Sequence, residues 1–92
     1  MKQKPPSSNW KPATILVRGG VKRTEVGETS EALFLNSAYV FDSAEHAEAR
    51  FARKDPGYYY GRYSNPSLEM LEERLALLEG AERCLVMASG MA

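Results

Sequence analysis

A single cysteine, Cys84, cannot close an internal disulfide, and a single histidine, His46, leaves too few soft ligands for a Cys/His zinc centre. The lone thiol suits a reducing compartment, so a cytoplasmic protein is expected. An excess of either charge sign is also missing: 12 Lys plus Arg balance 12 Asp plus Glu among 92 residues. A neutral chain has no broad positive field to draw in nucleic acid, although a local cluster can still bind one phosphate. Long apolar runs are absent too. The longest cover 32–35, 38–41 and 84–88, far short of the roughly 18 residues that cross a bilayer as a helix. The Lys-, Pro- and Ser-rich start carries no apolar stretch behind its charges, which argues against a secretory signal.

What the chain does contain is punctuated by prolines and glycines. Residues 1–12 read as a flexible tail, because Pro5-Pro6-Ser7-Ser8 sustains neither helix nor strand. Trp10 there either docks on a partner or folds back on its own domain. Residues 13–17 are apolar but too few to assign, and 21–30 read as a loop. Residues 32–41 are predicted to be extended and mostly buried. Ser43 is a good cap for a helix over 44–53, with Ala44, Ala47 and Phe51 on one side, and Asp55-Pro56-Gly57 stops it. His46 in that helix reads as a solvated residue. The spacing predicts a second helix over 66–79, capped by Asn65 and started by Pro66, with an apolar stripe of Leu68, Leu71, Leu75 and Leu78. Residues 84–88, without a polar member, then read as a buried strand with Cys84 as a small hydrophobe. A helix, a buried strand and a Ser-Gly turn are α/β grammar.

Two segments could carry chemistry. Ala88-Ser89-Gly90-Met91 leads from a strand into a glycine turn, where open backbone N–H groups make an anion site; many such turns bind nothing. The segment 57–66, Gly-Tyr-Tyr-Tyr-Gly-Arg-Tyr-Ser-Asn-Pro, gathers four tyrosines around Arg62. A guanidinium fork and phenolic donors suit phosphate or carboxylate oxygens, while interface packing with an acidic partner for Arg62 is the plainer alternative.

Together these pieces resemble the Cys/Met-metabolism family of pyridoxal-phosphate (PLP) enzymes, which includes cystathionine gamma-synthase and its relatives. The likeness rests on Tyr60-Gly61-Arg62-Tyr63-Ser64-Asn65-Pro66-Ser67, on Leu77-Leu78-Glu79-Gly80-Ala81-Glu82, on Ala88-Ser89-Gly90-Met91-Ala92 and on the entry segment 14–19. Within the family, residues 27–41 and 45–51 look most like the O-succinylhomoserine sulfhydrylases. The resemblance implies an α/β protein comprising the N-terminal arm and the start of the large PLP-binding domain of a fold-type I transferase. It divides the chain into the tail (1–12), an arm serving the neighbouring subunit (13–65) and the truncated start of that domain (66–92).

It further implies that Tyr60 and Arg62 bind the PLP phosphate of the neighbouring subunit, while Ser89, Gly90 and Met91 hold that of the chain's own cofactor. A homo-oligomer, a dimer of dimers, follows. The implied activity of the intact enzyme is γ-replacement of a homoserine ester with sulfide to give homocysteine. A cystathionine gamma-synthase, a methionine or cystathionine gamma-lyase and a non-catalytic interaction module are the alternatives. Two positions depart from the family pattern: Gly61 stands where serine is frequent, which would loosen the loop, and Ser67 stands for threonine. No lysine here (Lys2, Lys4, Lys11, Lys22, Lys54) matches the family's catalytic position, so residues 1–92 by themselves are expected to be inactive.

Overall fold

A computed structural model describes residues 10–92; the tail expected over 1–12 lies outside the described residues up to residue 9. Three helices form: α1 (Pro12–Arg18), α2 (Ala44–Phe51) and α3 (Pro66–Glu79). Two compact units result, one made of residues 10–33 with Pro66–Ala92, the other of Phe34–Asn65.

In the first unit, the segment too short to assign from sequence is helical. Pro12 sits in the first turn of α1, where its missing N–H costs nothing, and the Gly19 N–H closes the helix on the Ile15 carbonyl at 2.8 Å. The chain then turns through Gly20, at φ 73°, so tightly that a side chain there would meet the Met70 carbonyl oxygen at 2.8 Å. That close approach seats Val21, fully buried, against α3, whose Met70 and Ala76 complete the core. Burial of a valine of this kind contributes about 1.5–3 kcal/mol.

Arg74 locks the arrangement. Its Nε donates to the Gly19 carbonyl at 2.8 Å, and its two terminal nitrogens reach the Glu31 carboxylate at 3.1 and 3.3 Å. One guanidinium thereby ties α3 to the end of α1 and to the loop beyond it. The hydrogen bonds from Arg74, and next the backbone N–H of Glu31 itself, hold the Glu31 carboxyl below its ordinary range.

The apolar stripe of α3 is not its most buried side, although Leu78 at its end is half-buried. Leu68, Leu71 and Leu75 are 41%, 43% and 37% exposed. The Met70 side wins because the Gly19-Gly20 turn allows backbone-close packing there, which a row of bulky leucines does not. The expected strand over 84–88 also differs. This stretch forms no strand, with Leu85 71% exposed and Cys84 only half-buried. A strand needs a neighbour for its N–H and C=O groups, and none lies in this stretch. The Val86 N–H instead donates to Glu72 Oε2 on α3 at 3.0 Å.

In the second unit, residues 34–41 form no regular structure beyond a bend at Ser37 and a bridge at Ala38, and contrary to expectation they are not mostly buried; Leu35 and Val40 lie almost fully in solvent. Among the described residues the sole ladder contact is the antiparallel bridge between Ala38 and Tyr60. Ser43 caps α2 as expected, its Oγ accepting from the His46 N–H at 3.0 Å. The helix ends earlier than the Asp55-Pro56-Gly57 signal. Arg53 takes φ 61°, and the Lys54 N–H reaches back to the Ala49 carbonyl at 2.8 Å, the 6→1 bond of a Schellman cap without its usual glycine.

Candidate functional site

The tyrosine-arginine segment has little regular structure, so its shape depends on discrete anchors. The Gly61 N–H donates to the Ser37 carbonyl at 2.7 Å, and the Tyr60 carbonyl accepts from the N–H groups of Tyr63 and Ser64 at 3.0 and 3.2 Å. Gly61 is there for closeness: a side-chain carbon would lie 2.8 Å from Ser37 Cα. The expectation that this glycine loosens the loop is therefore reversed, since its small size lets the loop press onto residues 36–38. Asn65, 6% exposed, fixes the far end with its amide nitrogen, which donates to the carbonyls of Phe34 and Asn36, both at 3.1 Å.

Aromatic rings fill the unit. Phe51 packs on Tyr59 with ring centroids 4.7 Å apart, Tyr59 stacks on Tyr63 at 5.4 Å, and Tyr60 lies 6.1 Å from Tyr63. Arg62 sits over two of these rings, 5.2 Å from the Tyr60 centroid and 5.6 Å from that of Tyr63. It is exposed, and no described residue takes a hydrogen bond or ion pair from it. The acidic partner allowed for as the plainer reading is thus not found among the described residues. Stacking orients the guanidinium plane while leaving all its N–H donors open, and the exposed Tyr60 hydroxyl adds one more.

The second candidate lies in the other unit. Residues 89–92 form an exposed turn in which the Ala92 N–H points back to both the carbonyl and Oγ of Ser89, each at 3.3 Å. The N–H groups of Gly90 and Met91 donate to no described residue. Nothing lies within 4 Å of the space a side chain on Gly90 would take, so the approach to these donors is open. The donor sets at both places, a cationic fork with a phenol and a pair of free backbone N–H groups, suit the oxygens of a phosphate dianion.

Sequence reading missed two members of the second unit. His46, expected to be solvated, is three-quarters buried on its side chain and sits within a polar cluster. The Asp42 N–H donates to its Nδ1 at 3.1 Å, leaving Nε2 to face Asp55 Oδ2 at 2.9 Å. Arg50 lies one turn on, with Nη2 2.6 Å from the same His46 nitrogen and Nη1 donating to the Tyr58 carbonyl at 2.9 Å. The i, i+4 spacing of His46 and Arg50 was the available signal; the folding back of Asp55 onto them was not legible. No group of three His, Cys, Asp or Glu residues able to hold a metal ion occurs among the described residues. Nor is any helix among them long and apolar enough to cross a membrane.

Comparison with known proteins follows the same lines. A family model described as Cys/Met metabolism PLP-dependent enzyme matches residues 13–92. An O-succinylhomoserine sulfhydrylase of Pseudomonas aeruginosa is 54% identical over 78 residues, which is 85% of this chain and 19% of the relative. One from Mycobacterium tuberculosis is 50% identical over 80 residues, covering 87% of this chain and 20% of its own. This chain thus spans about a fifth of the length of the curated relatives it matches.

Among solved structures, a Campylobacter jejuni chain assigned as an O-acetylhomoserine (thiol)-lyase superposes with TM-score 0.72 at 32% identity. The match covers 82% of this chain and 19% of the other, whose structure holds a pyridoxyl-lysine monophosphate. The fold is therefore that of the N-terminal arm and the start of the large domain of a fold-type I PLP-dependent transferase. The tyrosine-arginine loop, the Leu-Glu-Gly end of α3 and the Ser-Gly-Met turn all lie inside the matched span, and the chain belongs to the Cys/Met metabolism PLP-dependent enzyme family.

Proposed function

We propose that the intact protein is a PLP-dependent transferase that replaces the γ-succinyloxy group of O-succinylhomoserine with sulfide, giving homocysteine and releasing succinate. The observation that carries this reading is the 54% identity to an O-succinylhomoserine sulfhydrylase over 78 residues, beside a family-model match over residues 13–92 that contains both phosphate-type donor sets. Arg62 and Tyr60 present their donors outward to the PLP phosphate of a neighbouring subunit. Ser89 and the N–H groups of Gly90 and Met91 hold the phosphate of the chain's own cofactor. Bound PLP supplies the electron sink that lets a γ-leaving group depart.

The residues described here serve by anchoring: a dianion gripped by a stacked guanidinium, a phenol and two backbone N–H groups cannot pivot, so the reactive end of the cofactor stays aligned. On this reading residues 13–65 form an arm that completes a partner's site, and 66–92 begin the cofactor-binding domain. The assembly is a dimer of dimers in the cytoplasm, and the catalytic lysine lies outside residues 1–92.

The test is product analysis on the full-length enzyme supplied with O-succinylhomoserine and either sulfide or cysteine. Homocysteine formed fastest with sulfide supports the proposal. Cystathionine as the dominant product with cysteine, or a sulfur-independent oxo acid, would replace it with a synthase or lyase reading.

A further inference from the structure

We propose that Arg50 is a positioning residue for the phosphate arm, setting the height and direction of the segment that carries Tyr60 and Arg62. This rests on the reading that Tyr60 and Arg62 bind phosphate. Two of the three arginines of this unit, Arg50 and Arg62, are used in opposite ways. Arg62 is exposed and spends no donor on any described residue, whereas the Arg50 side chain is only 16% exposed and turned inward on every side.

Nη1 of Arg50 holds the Tyr58 carbonyl at 2.9 Å, and Nη2 lies 2.6 Å from His46 Nε2. Nε faces Asp55 Oδ1 at 3.6 Å, an ion pair too long for a hydrogen bond, and is shut off from solvent. The guanidinium also lies over the Phe41 ring, 5.6 Å from its centroid.

Gly57 completes the seat. A side-chain carbon there would collide with Arg50 Cζ and its nitrogens, so the chain passes across the guanidinium only because residue 57 has none. Tyr58, whose carbonyl Arg50 holds, stacks on Tyr39 at 5.4 Å and stands two residues before Tyr60. Between the end of α2 and the Ala38–Tyr60 bridge, Arg50 is thus the side chain that joins helix, turn and tyrosine run. A lysine could not replace it, because one ammonium cannot serve a carbonyl and a carboxylate in separate directions while stacking on a ring.

The test compares the affinity of the full-length apoenzyme for PLP with that for pyridoxal, which lacks the phosphate, by titrating the absorbance of the bound chromophore. A group that positions phosphate ligands lowers the first affinity and spares the second. For Arg50→Met, Arg50→Lys and Gly57→Ala the PLP-to-pyridoxal ratio should fall roughly tenfold, the scale seen when a group that orients a liganding side chain is lost. Gly57→Ala displaces Arg50 without removing it, and so decides the matter even where Arg50→Met folds poorly. Arg62→Ala serves as the reference, with a larger fall in the same ratio. If Arg62→Ala lowers the ratio and the Arg50 and Gly57 variants do not, the positioning role is overturned and the phosphate reading stands. Equal losses for PLP and pyridoxal would mean that Arg50 only stabilises the fold. A ratio unchanged in Arg62→Ala would overturn the phosphate reading on which the inference rests.

Discussion

Glu31 and Arg74 make the clearest residue-scale link between charge and stability. Hydrogen bonds from Arg74 depress the Glu31 carboxyl below its ordinary 4.5, so the folded protein binds that proton less readily than the unfolded chain. The pair's contribution is therefore present in full above 4.5 and is lost as pH falls through the lower folded value. Urea midpoints of the wild type and Glu31→Gln should differ at about pH 7, and the gap should shrink as the solution is acidified below 4.5. A gap that stays constant over this range would rule out the linkage.

Arg53 offers a second case with the opposite sign. It holds φ 61° at the close of α2, a conformation that costs a residue with a side chain about 1–2 kcal/mol. Part of that is returned by the extra unfolded-state freedom of glycine. Arg53→Gly should raise stability by up to about 1 kcal/mol, read from the urea midpoint, and a loss of stability would mean that the exposed arginine makes an offsetting contact.

At the scale of elements, α3 decides how the first unit packs. The helix and its ends were legible because Pro66, the leucine spacing and Gly80 are local signals; the side it buries was not. That choice depends on Gly20, which allows the chain to lie against the Met70 carbonyl, a contact between residues fifty positions apart. Gly20→Ala combines a disfavoured φ with a clash at 2.8 Å and should cost about 2–4 kcal/mol. Its checks are the unfolding midpoint and faster hydrogen exchange at Val21 and Lys22. An unaltered midpoint would show that α1 and α3 are not held by this turn.

The candidate site divides the same way. Tyr60, Arg62, Ser89, Gly90 and Met91 lie in two short donor-bearing stretches of the sequence, and it is the family resemblance that singles them out as phosphate ligands. Arg50 and His46 could not be picked out, since their partners Asp55 and Tyr58 meet them only after α2 reverses through its Schellman cap. The strand expected over 84–88 failed for a further reason: a strand is a property of a pair, and its apolar composition only states a demand for neighbours.

For the whole molecule, the balance of buried and exposed surface is telling. Among the described residues only Val21, Met70 and Ala76 are buried hydrophobics, while Leu85, Met87, Met91 and, on α3, Leu68, Leu71 and Leu75 face outward. Such surface asks for cover, and the relatives, about five times as long, supply the scale of structure that would give it. The central claim is that each cofactor phosphate is held by the turn of one chain and the arm of another.

Two full-length variants test it: Arg62→Ala, which spoils only the arm, and Met91→Pro, which removes one N–H of the turn. The measurement is the PLP content of the purified mixed dimer bearing one chain of each kind, set against the two uniform dimers. If the arm works across subunits, the mixed dimer has one intact site and retains about one tightly bound PLP per two chains, while both uniform dimers retain far less. A mixed dimer no better than its parents would mean that arm and turn serve the same chain's site or none, and would contradict the account.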